Sequence, residues 1–234
     1  PGTGYLQAQF TPVSNFIAQE YQGRGIADMK VYNRSSSAVG ISSPRHPSYF
    51  NSLEYALLLK DACQYTAIIP WINDLSSGID AGVQAPAYVS QLAFLAQQVI
   101  NQNPAGKVLI VNYYQGAVAS FALNSFASGF TPGNVAVFNQ QIAAACTGGA
   151  LALPQVMCVD VNPAFADMGT SYLIGPVSQQ DLQAMLYSPP IPEQQNMVNF
   201  YFSRNPNGML IGDGAHLSNS GKARLAAYLV GFMP

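Results

Sequence analysis

Three strand-like segments, each followed by a helix-patterned segment, constrain this chain more than any other feature. They are the continuous apolar run Tyr65–Trp71 and the apolar-rich stretches Lys107–Tyr113 and Gln155–Val161. A run without polar alternation suits a strand buried on both faces. After the first run, residues 86–102 carry Val89, Leu92, Phe94, Leu95 and Val99 toward one side of a helix, until Asn103-Pro104-Ala105-Gly106 breaks it. After the second, Asn134–Ala145 is helical. After the third, Asn219–Val230 forms the last helix, with Leu225, Tyr228 and Leu229 as core contacts. Strands alternating with helices predict an α/β chain: a parallel sheet between two helical layers. Sites in such open sheets form at the carboxyl ends of the strands.

The remaining signals fit this frame. Thr11 reads as an N-cap and Pro12 as the first position of a helix carrying Val13, Phe16, Ile17 and Tyr21. Met29–Asn33 reads as a short strand and Asn51–Leu59 as a helix. Ser178 and Asp181 resemble a capping box. Tyr187–Asn207, rich in Pro, Gln and Asn, reads as an irregular insertion. No internal repeat or dividing linker appears, so residues 1–234 are expected to form one domain.

Composition narrows the function classes. Hydrophobic residues make up 49% of the chain, enough for a sizeable core. Charged residues make up only 9%, so Gln, Asn, Ser, Thr and Tyr must cover much of the surface. Such a surface fits an extracellular protein. The net charge of -2, with no basic cluster, offers nothing to nucleic acid. No apolar stretch is long enough to span a membrane. Cys63, Cys146 and Cys158 lack zinc-site spacing. Two readings of them stand open: three buried thiols, or a Cys146–Cys158 disulfide joining a helix to a strand, which fits an oxidising compartment.

The chemistry has few candidates. The chain has two histidines. His46, bracketed by Pro44 and Pro47, reads as a surface loop residue. His216 follows Asp213 by three residues on a glycine-flanked loop. An acid at that spacing can fix the imidazole's tautomer and stabilise the imidazolium of a general base. A histidine that merely bonds within its own turn also fits. Asn73, in Ile72-Asn73-Asp74, follows a buried strand. Its amide suits an oxyanion donor, though Asn73 or Asp74 capping the next turn fits as well. The third candidate is Val31-Tyr32-Asn33-Arg34-Ser35-Ser36-Ser37-Ala38-Val39-Gly40, again after a strand. Its backbone N–H groups suit a ligand's oxygen, and an ordinary polar loop is the alternative.

In this order and at these separations, the three segments resemble the SGNH (GDSL-like) serine hydrolases. Asn33–Ala38 is similar to that family's Asn-x-x-x-Ser-Gly element, Ile72-Asn73-Asp74 to its Gly-x-Asn-Asp, and Asp213–His216 to its Asp-x-x-His. Val159–Phe165 is similar to the strand and loop that often precede the last element. The resemblance implies a flavodoxin-like sheet and hydrolysis of carboxylic esters through an acyl-serine, without metal or organic cofactor. It makes His216 the general base, Asp213 its orienting acid, and the Asn73 amide and Ala38 N–H the oxyanion donors. Trp71 and Tyr32 then suit the walls of a substrate cleft, with core packing as the alternative; the same holds for Tyr49, Phe50, Tyr113 and Tyr114.

The chain departs from the pattern twice. Ala38 replaces the glycine of the second element, which keeps the N–H but disfavours positive φ. No Gly-Asp-Ser occurs; Thr3, in Gly2-Thr3-Gly4, is a poor substitute because no strand precedes it. The family's nucleophile and first strand are therefore expected upstream of Pro1, on a continuous segment or a peptide held noncovalently. That strand is central, and omitting it would orphan buried backbone groups at about 1–3 kcal/mol each. A noncatalytic scaffold that binds a glycan or protein is the alternative reading. A structural component of a larger assembly is a third.

Overall fold

The computed structural model describes residues 12–36, 39–69, 72–75, 80–114, 131–168, 202–204, 210–212 and 217–234. These gather into two compact units. One draws on the stretches before Asn33 and after Pro163; the other spans most of 33–163.

The second unit holds a three-stranded parallel sheet ordered β1-β2-β3: Tyr65–Ile68, Lys107–Val111 and Val156–Val159. Thr66 pairs with Val108, and Leu109 with Met157. The chain is α/β. Val108, Leu109, Ile110 and Val111 are all buried. Alternate residues point to opposite faces, so both faces of β2 are covered. In β1 only Thr66 is buried. The apolar run there predicts a strand covered on both faces; the observed strand is shorter and half-exposed. It lies at the edge of the described sheet, and the described strand beside it is β2 alone.

Helices connect the strands. Ser52 caps α2 (Leu53–Asp61) by accepting from the Tyr55 N–H at 3.1 Å. Asp80 caps α3 (Ala81–Gln102) through the N–H groups of Gly82 and Val83. Starting a helix at residue 86 follows the preference of proline for first positions. The Asp80 cap moves the start five residues earlier and leaves Pro86 inside. Thr131 caps α4 (Pro132–Gly148), with Pro132 at the first position. Tyr88 from α3, Phe138 from α4 and Tyr113 beyond β2 pack ring against ring, with centroids 5.2–5.9 Å apart. Tyr113 and Tyr114 are buried, so both serve the core. Asn139 of α4 closes the end of β2, accepting from the Tyr113 N–H at 2.8 Å and donating to its carbonyl at 2.7 Å. Cys146 at the end of α4 is disulfide-bonded to Cys158 in β3, while Cys63 is free. Of the two cysteine readings, the disulfide is the one found.

In the other unit, α1 (Val13–Gly23) packs on the terminal helix α6 (Asn219–Val230). The Tyr21 hydroxyl donates to the Met233 carbonyl. Gly25 takes φ 80° as the chain leaves α1. Leu225 and Leu229 are fully buried; Tyr228 is half-buried against Phe232. Pro12 stands one place before the first helical residue rather than at it. The remaining helical turn, α5, is Asn162–Phe165, at the boundary of the units.

Two expectations fail. Met29–Asn33 forms no strand. A strand needs a ladder, and no described strand pairs with this segment. Within the stretch expected to be irregular, Phe202–Arg204 (β4) pairs antiparallel with Leu210–Gly212 (β5), so backbone pairing outweighs the loop-like composition there. The Ser178 capping box lies outside the described residues.

Candidate functional site

The carboxyl end of β1 leads through residues 69–71 into a single 3-10 turn, Ile72–Asp74. Two adjacent side chains of that turn reach back across the sequence to one five-residue stretch. The Asn73 amide donates to the Val39 carbonyl at 2.9 Å. The Asp74 carboxylate accepts from the N–H groups of Ile41 (3.2 Å), Ser42 (2.8 Å) and Ser43 (3.0 Å), and from the Ser42 hydroxyl (3.3 Å). Two segments picked out by sequence are therefore neighbours in space. Ile41, Ser42 and Ser43 carried no sequence signal, because nothing local marks a loop that bonds a carboxylate more than thirty residues away.

Gly40 explains how the stretch lies so close. A Cβ added there would sit 2.8 Å from Asp74 Oδ1 and 2.8 Å from Ser43 Cβ. Neither neighbour can yield, because the Asp74 oxygen is held by its own hydrogen bonds. Gly40→Ala is therefore expected to destabilise the protein by about 1–3 kcal/mol, the usual range for overpacking. Chemical denaturation measures it, and an unchanged midpoint would show that the loop is not clamped on Asp74.

The N-terminal flank of the loop is fixed independently. Arg34 makes a two-point contact with Asp61 at the end of α2, Nε to Oδ2 at 2.6 Å and Nη2 to Oδ1 at 3.0 Å. The Tyr49 hydroxyl donates to the Arg34 carbonyl at 2.7 Å. Burial, then the nearby Glu54 carboxylate, pushes that phenol up to about 12, so it remains a donor across the ordinary pH range. Asn33 closes its own turn, accepting from the Ser35 N–H and hydroxyl.

Asp74 is only 4% exposed. Burial raises its pKa from the ordinary carboxylate value, and the hydrogen bonds from Ser42, Ile41 and Ser43 pull against that rise. Its charge in turn adds to the burial that pushes the Tyr88 and Tyr113 phenols well up.

A second polar cluster stands where β2 and β3 end. Asp160 Oδ1 accepts from the Asn112 amide at 2.9 Å, the Asn162 N–H at 3.0 Å and the Asn162 amide at 2.7 Å. Partial burial alone would raise Asp160, but these three donors outweigh it and hold the carboxyl below its usual range. Asn112 also accepts from the Val161 N–H at 2.9 Å, which joins the two strand ends.

Among the other residues picked out by sequence, Tyr32 is exposed and His46 is half-buried. Ala38, Trp71, Asp213 and His216 lie outside the described residues; β5 ends at Gly212, immediately before Asp213. Among the described residues, no group of three or more His, Cys, Asp or Glu side chains is placed to hold a metal. No described helix is long and apolar enough to cross a membrane.

No family model matches the chain, and no curated protein matches it. Among solved structures, it is similar to a peptidoglycan O-acetylesterase at 14% identity and a TM-score of 0.42, over 77% of this chain. The alignment spans 39% of that protein, so this chain corresponds to well under half of its length. At that level the likeness fixes neither reaction nor substrate.

Proposed function

We propose that this protein is an SGNH-type serine esterase. The observation that supports the reading is the Asn73–Val39 hydrogen bond. It sets the side-chain amide proposed as one oxyanion donor beside the residue that follows Ala38, whose N–H is proposed as the other. Two donors from separate loops can stabilise a tetrahedral oxyanion only if the loops are held together before substrate arrives. In this reading His216 removes the serine proton and Asp213 orients the imidazole. Serine oxygen attacks the ester carbonyl, the alcohol leaves with the proton from His216, and water then releases the acid by the same path. The substrate class is a short acyl group on a carbohydrate, lipid or small alcohol, with Trp71 and Tyr32 on the cleft walls.

The nucleophile is proposed to ride on a strand beside β1, on the flank away from β2. The half-exposure of β1, against the burial of Val108–Val111 in β2, supports that place. An extracellular location is proposed as well, supported by the Cys146–Cys158 disulfide.

Fluorophosphonate labelling of the full-length protein, with peptide mapping, tests the reading. A single labelled serine is expected, and its peptide identifies the nucleophile and the strand that carries it. A folded protein that takes no label and hydrolyses no aryl ester would instead be a binding module for a glycan or protein.

A further inference from the structure

We infer that Asp74 is a positioning residue for this hydrolysis: it fixes the backbone following Ala38 in register with the Asn73 amide. The inference rests on the esterase reading above.

An Asp in a turn ordinarily caps that turn. The bonds described above for Asp74 run instead to residues 31 to 33 positions upstream. Its two oxygens divide the work. Oδ1 takes the Ser42 N–H, the Ser42 hydroxyl and the Ser43 N–H; Oδ2 takes the Ile41 N–H. All four partners donate, so the matching state is a carboxylate with both oxygens accepting. Gly40 leaves no room for the loop to settle differently, since even a methyl group would strike Asp74. Asn73 holds the same stretch at Val39. Residues 73 and 74 therefore clamp 39–43 from one end to the other. Among the described residues, the ionisable groups that feel the carboxylate from neighbouring elements are Tyr88 on α3 and Tyr113 beyond β2. Neither phenol is a counter-ion, so the loop's own donors must carry the compensation.

Oxyanion donors act only from the position the developing charge will occupy, and a displacement of about 1 Å can cost on the order of 100-fold in rate. Loosening the clamp should therefore lower kcat and leave ground-state binding nearly unchanged.

Asp74→Asn tests this. It preserves volume and one acceptor, and it sets an amide N–H against the Ile41 N–H. Activity is read as kcat per fluorophosphonate-titrated site, so that unfolded molecules do not count. The expected result is a fall of about 10- to 100-fold in kcat with KM within about two-fold. Amide exchange at Ile41–Ser43 should quicken. In an Asn73→Ala background the same substitution should cost less than about three-fold, because the amide with which it keeps the loop in register is already gone. Should Asp74→Asn fail to fold, Ser42→Ala removes one of the four bonds and should give a loss of about two- to five-fold in kcat at unchanged KM. A titrated kcat within error of wild type in these variants overturns the inference alone. A wild type that neither labels nor hydrolyses esters overturns the esterase reading beneath it.

Discussion

Replacing His216 with alanine is expected to lower kcat for aryl ester hydrolysis by on the order of 10⁴- to 10⁶-fold. A serine hydroxyl is almost wholly protonated near neutral pH and attacks an ester slowly. In the proposed mechanism the imidazole makes the attack fast by taking the proton as the new bond forms, then returns it to the departing alcohol. Without it, neither transfer has a local partner. Asp213→Asn should cost on the order of 10⁴-fold, because an amide no longer selects the tautomer that accepts the serine proton. Asn73→Ala removes one proposed oxyanion donor and should cost on the order of 10²- to 10³-fold. The three losses fall chiefly on kcat, since each group acts most strongly on the transition state. His46, on its proline-bracketed loop, supplies the control: His46→Ala should hydrolyse as wild type does. Steady-state kinetics on variants with matching circular dichroism spectra decide the matter. A His216→Ala protein as active as wild type would remove His216 from the mechanism and leave the Asp-x-x-His spacing a local turn.

What the sequence discloses depends on how far apart the interacting groups lie along the chain. The strands at 107–111 and 156–159 are legible because Val108–Val111 and Val156–Val159 are unbroken apolar runs, a composition that burial on both faces demands in the case of β2. The helices after residues 80 and 131 extend beyond their apolar cores, because Asp80 and Thr131 cap them from outside the periodic stretch. Met29–Asn33 has a strand's composition but, among the described residues, no strand to pair with, and pairing is a property of the partner. Phe202–Arg204 is the converse, a loop-like composition held by its antiparallel neighbour. Asn73 and Asp74 are visible as a polar pair after a strand. That they grip residues 39–43 is not visible, because hydrogen bonds to backbone N–H and C=O groups leave no mark on the identity of the residues that supply them. Among those residues, only Gly40, by its missing Cβ, and Ser42, by its hydroxyl, enter the contact through their identity.

Removing the Cys146–Cys158 disulfide is expected to cost about 3 kcal/mol, the chain-entropy value for a loop of this size. The two cysteines are 12 residues apart. Breaking the bond lets the unfolded chain sample conformations that the closed loop forbids, while the folded protein loses little packing, because Cys158 is exposed and Cys146 only half-buried. The loop is otherwise well held. Leu151 is buried, and Gly149 lies so near Ala145 that an added Cβ would meet its Cα at 2.8 Å. The native loop therefore has reason to keep its shape in a Cys146→Ala/Cys158→Ala double variant, and the loss should come mainly from the unfolded side. For a chain of 234 residues, 1 kcal/mol corresponds to about 2–4 °C in Tm, so the midpoint should fall by about 6–12 °C. Cys63→Ala, which removes a free thiol, should shift it far less. Calorimetry on the three proteins under non-reducing conditions makes the comparison, with a thiol count to establish that the wild type is oxidised. A double variant that melts with the oxidised wild type would mean that β3 and the end of α4 are already tethered in the unfolded chain, and that the bond adds no stability.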